Sequence, residues 1–242
     1  MTINHPLALT IIEALRTEAV EEKMLFFPRF FKCGKGEYGE GDEFFGVTVP
    51  KQRAIAGKYW KMVDAEVLAI LLHHPVHEVR LTAVIMLTKK YQKANSQEEK
   101  DSWAIFYIKH RSGINNWDLV DISAPLILGD WLLDRDKSLI YAWAKDGSLW
   151  EKRMAMLSTL AGIRKNRMED TLKIAHILHQ DKHDLIQKAV GWMIRELGKR
   201  DYRLAFDFLK GHYAQMPRTM LRYAIEKFDP EIRQGFLKGT IE

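Results

Sequence analysis

One small residue, set among large apolar ones, returns at nearly constant spacing along this chain and constrains its fold more than any other feature. Ala83, Ala155, Ala189 and Ala224 each fall in the second helix of a predicted helical pair. Their intervals are 72, 34 and 35 positions, the first close to two repeats, and Leu119, midway through it, also falls in a predicted helix. A period near 35 residues built of helical pairs is that of an α-solenoid, where each pair buries its apolar face only against its neighbours. A plain helical bundle is the alternative. Apolar residues keep helical spacing at Leu9, Ile12 and Leu15, at Leu81, Val84 and Ile85, and at Ala189, Met193 and Leu197. No segment joins β-branched alternation to turn dipeptides, so strands are unsupported. Breaks at His74-Pro75, Asp146-Gly147, Asp181 to Asp184 and Met216-Pro217 each precede a new apolar helix. The expectation is one all-α domain over residues 1–242.

Composition narrows the function classes. With 37 Lys and Arg against 32 Asp and Glu, the chain carries a formal charge of +5 and a pI near 9.1. A basic excess favours polyanionic partners, provided the cations share a face. The single cysteine, Cys33, closes no intramolecular disulfide, which fits a reducing compartment. No run reaches the roughly 18 apolar residues of a membrane span. Residues 1–18 lack a basic start and a small-residue cleavage site, so no signal peptide is expected. These features point to a cytoplasmic protein with no membrane partner.

Three segments could carry chemistry. Between about residues 32 and 43 the chain is glycine-rich and mixed in charge, and Gly34-x-Gly36-x-x-Gly39 formally matches a dinucleotide fingerprint. That motif needs a preceding strand, and Glu37, Glu40 and Asp42 would repel phosphate, so a flexible loop is the expected reading. His176, His179 and His183 stand at i, i+3, i+7 but have no carboxylate or cysteine at ligand spacing, and no metal or cofactor is expected. In Asn115-Asn116-Trp117-Asp118-Leu119-Val120-Asp121 an Asn is a natural N-cap and Asp118 falls in the first helical turn, which suits a carboxylate. Asp121 has no such explanation. It lies i+4 from Trp117, so a carboxylate and an indole share one face, a place to stabilise a cation; a surface Asp over a core Trp is the other reading.

Farther on, Lys188, Trp192, Arg195 and Lys199 form a stripe at i, i+4, i+7, i+11, suited to a nucleic-acid backbone. Trp150 and Arg153 repeat the theme one helical pair earlier. A snorkelling basic face over a buried indole is the bland alternative.

The motifs Asn116-Trp117-Asp118-Leu119-Val120-Asp121, Trp150-Glu151-Lys152-Arg153-Met154-Ala155 and Lys188-Ala189-Val190-Gly191-Trp192, in that order, resemble the AlkD-like family of DNA alkylation-repair glycosylases, from about Ala19 to the last helices. The resemblance implies HEAT-like repeats forming a concave groove around double-stranded DNA, and a monomeric enzyme, nucleoid-associated when on bacterial DNA. It implies hydrolysis of the N-glycosidic bond of N3- and N7-alkylated purines, without a cofactor and without full flipping of the base. It further implies that Asp121 is the catalytic carboxylate, that Trp117 and Trp192 face the lesion, and that Arg153 contacts phosphate; the spacing of the basic stripe adds Lys188, Arg195 and Lys199 as expected phosphate ligands. The insertion from Lys32 to Asp42 departs from the shorter connection of the best-described members. The competing readings are a non-catalytic HEAT-like protein binding damaged or branched DNA, and a protein-binding α-solenoid.

Overall fold

The computed structural model describes residues 5–241, which divide into two compact units, one ending at Ser123 and the other beginning at Ala124. The chain is all-α, in keeping with an α-solenoid. Among the described residues no strand forms, and Glu43 and Val76 make an isolated parallel bridge.

In the first unit the helices are α1 (Pro6–Thr17), α2 (Glu21–Phe30), α3 (Val49–Tyr59), α4 (Ala65–Leu72), α5 (His77–Gln92), α6 (Gln97–Lys109) and α7 (Trp117–Ser123), with a 3-10 turn at Arg111–Gly113. Helix α5 is the centre of this unit and packs against α3, α4, α6 and α7. It is buried nearly all round, with polar as well as apolar residues covered by its neighbours. Its first turn stands out in chemistry, because His77, Glu78 and Arg80 are buried there as polar residues.

The second unit opens with a π-helical turn (Pro125–Gly129), followed by α8 (Ser138–Asp146), α9 (Leu149–Ser158), α10 (Leu160–Arg164), α11 (Glu169–Leu178), α12 (Asp184–Gly198), α13 (Tyr202–His212), α14 (Arg218–Ala224) and α15 (Pro230–Lys238). Helix α12 is its core element, packed on α9, α11, α13 and α14. The approach to α14 is close enough to demand glycine. A Cβ on Gly191 would lie 2.5 Å from both the Met220 carbonyl oxygen and the Tyr223 Cβ. Gly191 of the third sequence motif is therefore a packing requirement.

Local signals explain where helices start. Asp64, Ser96, Ser148 and Asp201 each accept a hydrogen bond from a backbone N–H of the first turn that follows. Ser148 and Glu151 complete a reciprocal capping box. All four recurring alanines are fully buried, in α5, α9, α12 and α14. Every break read from the sequence, from His74-Pro75 to Met216-Pro217, precedes one of these helices.

Candidate functional site

The glycine-rich segment is a loop, but the expectation that it is flexible is corrected at its far end, where it is bolted to α5. The Asp42 side chain is 6% exposed. One of its oxygens accepts from Arg80 Nη2 at 2.7 Å; the other takes His77 Nδ1 at 3.2 Å and Asn116 Nδ2 at 3.3 Å. Arg80 also donates to the carbonyls of His74 and Pro75. Glu37 and Glu40, read as repelling phosphate, accept from the loop's own amides at Gly34 and Gly36. Just beyond, the buried Glu78 carboxylate accepts from the amides of Phe45, Gly46 and Val47 at 3.2, 2.7 and 3.1 Å. Gly46 has φ +80°, and a Cβ there would sit 2.2 Å from the Val20 carbonyl oxygen, so the turn that Glu78 captures requires glycine.

The same network reaches α7. His77 Nε2 lies 2.9 Å from Asp118 Oδ2, while Asp118 Oδ1 accepts from Leu119 N at 2.9 Å. Asn116 Oδ1 accepts from Trp117 N at 2.8 Å. Asp118 thus has the structural role its first-turn position suggests, plus a buried partner that spacing could not supply. Burial works to lower the His77 pKa, but the facing Asp118 carboxylate, joined by Asp42, outweighs it and leaves the imidazole above its ordinary value despite the opposing Arg80. For Asp42, burial pushes upward, yet its bonds to His77 and Asn116 and the Arg80 charge hold it below the usual carboxylate range.

Trp117 is half-buried and sits in an aromatic cluster: its ring stacks on Phe31 at 5.7 Å and meets the edge of Phe30 at 6.0 Å, and Phe31 in turn lies 4.4 Å from the His77 ring. Asp121, one turn on, is also half-buried. Nearby, Tyr107 is fully buried and hydrogen-bonded to Ser123 at 3.0 Å. Burial raises the Tyr107 pKa, the Ser123 hydrogen bond opposes this, and the Asp121 charge adds to the rise. The carboxylate therefore lies within electrostatic reach of a buried neutral hydroxyl. Phe26 and Phe30 on α2 are 55% and 47% exposed and pack together at 5.8 Å. Sequence reasoning passed over this exposed aromatic pair, although Leu25-Phe26-Phe27 without polar alternation was a visible signal.

In the second unit the predicted basic stripe lies on α12, but it is not bare. Lys188 pairs with Asp184 at 2.9 Å and Lys199 with Glu196 at 2.7 Å. Glu196 also accepts from Trp192 Nε1 at 3.2 Å and faces Arg195 at 3.8 Å, and Arg195 makes a second ion pair with Glu226. A cleft of about 290 Å³ beside them is lined by Trp192, Glu196, Lys199, Arg164 and Arg200 over Leu160 and Ile163. Arg153 is placed differently from a surface cation: it is 5% exposed and donates to the Leu185 carbonyl, joining α9 to the start of α12. Trp150 lies half-buried at the first turn of α9.

The histidine cluster regroups. His183 is the N-cap of α12, where its ring accepts from Leu185 N, so it does not share a helix with His176. His212 takes its place, 2.9 Å from His176 through ring nitrogens, with His179 stacked beside them. Among the described residues no group of three His, Cys, Asp or Glu side chains is arranged to hold a metal ion. No helix among them is long and apolar enough to cross a membrane.

Comparison with known proteins fits this architecture. No curated protein matches the sequence. A solved structure described as a "predicted DNA alkylation repair enzyme" of Enterococcus faecalis shares the fold, with a TM-score of 0.68 at 17% identity over 88% of this chain and 98% of that one. The family model for DNA alkylation repair enzymes matches residues 11–228, which takes in α7, α9 and α12. The chain belongs to the DNA alkylation repair enzyme family.

Proposed function

We propose that the protein is a monofunctional DNA glycosylase that hydrolyses the N-glycosidic bond of cationic N3- and N7-alkylated purines in duplex DNA. The observation that carries this reading is the place of Asp121 on α7: it stands one turn beyond Trp117, half-buried, on the face that begins with that indole. Alkylation at N3 or N7 makes the base a good leaving group, so no strong general acid is needed. The sugar gains positive charge as the bond stretches, and a fixed Asp121 carboxylate stabilises it and orients the attacking water. Trp117, one turn from Asp121, offers its ring face to the cationic lesion nucleotide, and Trp192 offers its own to the DNA that α12 meets. Lys188, Arg195 and Lys199 engage phosphates by exchanging their present carboxylate partners for DNA. Arg153 acts from its buried position, fixing α9 against α12 and so the basic helix that meets the backbone. The deciding assay is incubation with duplexes carrying N7-methylguanine or N3-methyladenine, followed by detection of free base and abasic sites; no release above the uncatalysed rate rejects the glycosylase reading.

Selectivity should follow charge. N7-methylguanine and N3-methyladenine are expected to be released, and hypoxanthine and 1,N6-ethenoadenine to be nearly inert, because uncharged bases need a protonation this site does not supply. Side-by-side single-turnover reactions on matched duplexes test this, and efficient hypoxanthine release would reveal a general acid and overturn the mechanism.

Glu196 offers a second check. It sits against Trp192, Arg195 and Lys199 and neutralises the face that must meet phosphate. Glu196→Gln is expected to tighten duplex binding about 3- to 10-fold at low salt, with a steeper slope of log affinity against log salt. Binding titrations at several salt concentrations measure both. Unchanged affinity and slope would place the DNA surface away from α12 and favour a protein-binding solenoid.

A further inference from the structure

We propose that His77 and Asp42 are positioning residues for base release: they clamp the first turn of α7 and so aim Trp117 and Asp121, an inference that rests on the glycosylase reading above. Three observations converge on it. First, the clamp is doubly anchored. Asp42 holds Asn116, whose own side chain takes the Trp117 amide, and His77 holds Asp118, the next residue along. Second, ring packing repeats the connection, since Phe31 lies against His77 on one side and stacks on Trp117 on the other. Third, the hydrogen-bond chemistry fixes the charge. Ionised carboxylates only accept, so Asp42 at Nδ1 and Asp118 at Nε2 require a proton on both ring nitrogens, which is the imidazolium form.

The groups facing that ring are Asp42 from the loop, Asp118 from α7 and Arg80 from the same first turn of α5, with Phe31 and Phe44 covering its faces. Two carboxylates against one guanidinium favour the cation. The sign of the pH dependence follows. His77 is raised, so its contribution is complete below its ordinary value of 6.5 and is lost as pH rises through the folded value. Asp42 is lowered, so its contribution is complete above 3.8 and is lost as pH falls through its folded value. The clamp holds between those limits.

This role differs from catalysis. Neither His77, 2% exposed, nor Asp42 has access to a substrate. What they supply is aim, and small errors in aim are expensive in rate while leaving binding energy largely in place.

The test uses the full-length protein and the variants His77→Gln and Asp42→Asn, measuring single-turnover base release from N7-methylguanine duplex, duplex affinity, melting temperature and amide hydrogen exchange over residues 117–121. The expected result for His77→Gln is a rate about 10-fold lower with duplex affinity within about twofold, and faster exchange across α7. The ratio of wild-type to variant rate, which cancels any titration of the substrate, is expected to shrink on the alkaline side. Equal rates at every pH would overturn the proposal. So would a slower variant whose α7 amides exchange as in wild type, or whose rate and affinity fall together, since either marks a general loss of structure. If wild-type protein releases no base, the glycosylase reading fails, and the clamp is then judged by exchange alone: unchanged protection of residues 117–121 rejects it.

Discussion

Asp121→Asn is expected to lower base release from N7-methylguanine duplex by about 10²-fold or more, a loss of about 3 kcal/mol of transition-state stabilisation, with duplex affinity nearly unchanged. The substitution is almost isosteric; it removes the charge and turns one acceptor oxygen into an amide donor. The sugar cation would then face a neutral amide, and water would keep only an uncharged acceptor. Burial first, and the Asp121 charge after it, raise the pKa of the Tyr107 hydroxyl, so removing that charge leaves the hydroxyl neutral. Single-turnover kinetics alongside binding titrations decide the matter. Excision at the wild-type rate would remove the carboxylate mechanism altogether, because Asp118 is already bound to His77 and Leu119 N.

The largest effect on stability is expected at Glu78, which no catalytic argument touches. At 1% exposure its carboxylate satisfies three consecutive backbone amides, those of Phe45, Gly46 and Val47. Glu78→Ala would leave three donors unpaired beside a cavity, a cost of about 3–5 kcal/mol. At about 2–4 °C per kcal/mol for a chain of this size, the melting temperature should fall by roughly 10 °C. Glu78→Gln retains one acceptor oxygen and should cost about half as much. Thermal melts followed by circular dichroism give both values. A drop below about 2 °C for Glu78→Ala would mean these amides find water or other partners once the carboxylate is gone.

What was readable in the sequence was whatever depends on short spacing. The recurring alanines mark packing that repeats with the chain, so Ala83, Ala155, Ala189 and Ala224 all proved to be fully buried. Asp118 declared itself by its place in a first turn. The pairing of Lys188 with Asp184 was available too, four positions away on one helix face, but the basic stripe was read without its acidic neighbours. Glu226 was not available: it lies 31 positions from Arg195, and no period connects them. The same is true of the Asp42–His77–Asp118 network, whose separations of 35 and 41 belong to the fold and to no local pattern. Arg153 shows a further limit. Spacing puts a cation on a helix face, yet burial depends on what covers that face, here the start of α12.

The hydrogen bond from Asn116 to Asp42 joins residues 74 positions apart, and Asp42 is itself bolted to the head of α5 by His77 and Arg80. A connection of that length closes late, because the entropy of a long loop must be overcome before the contact returns any energy. Helix α7 has only seven residues, too few to persist alone in water. Its docking should therefore be among the last events of assembly of the first unit. Interactions that form after the rate-limiting barrier slow unfolding without hastening folding. The buried charges at the head of α5 are therefore expected to lengthen the lifetime of the folded chain, which faster unfolding of Asp42→Asn at an unchanged folding rate would show.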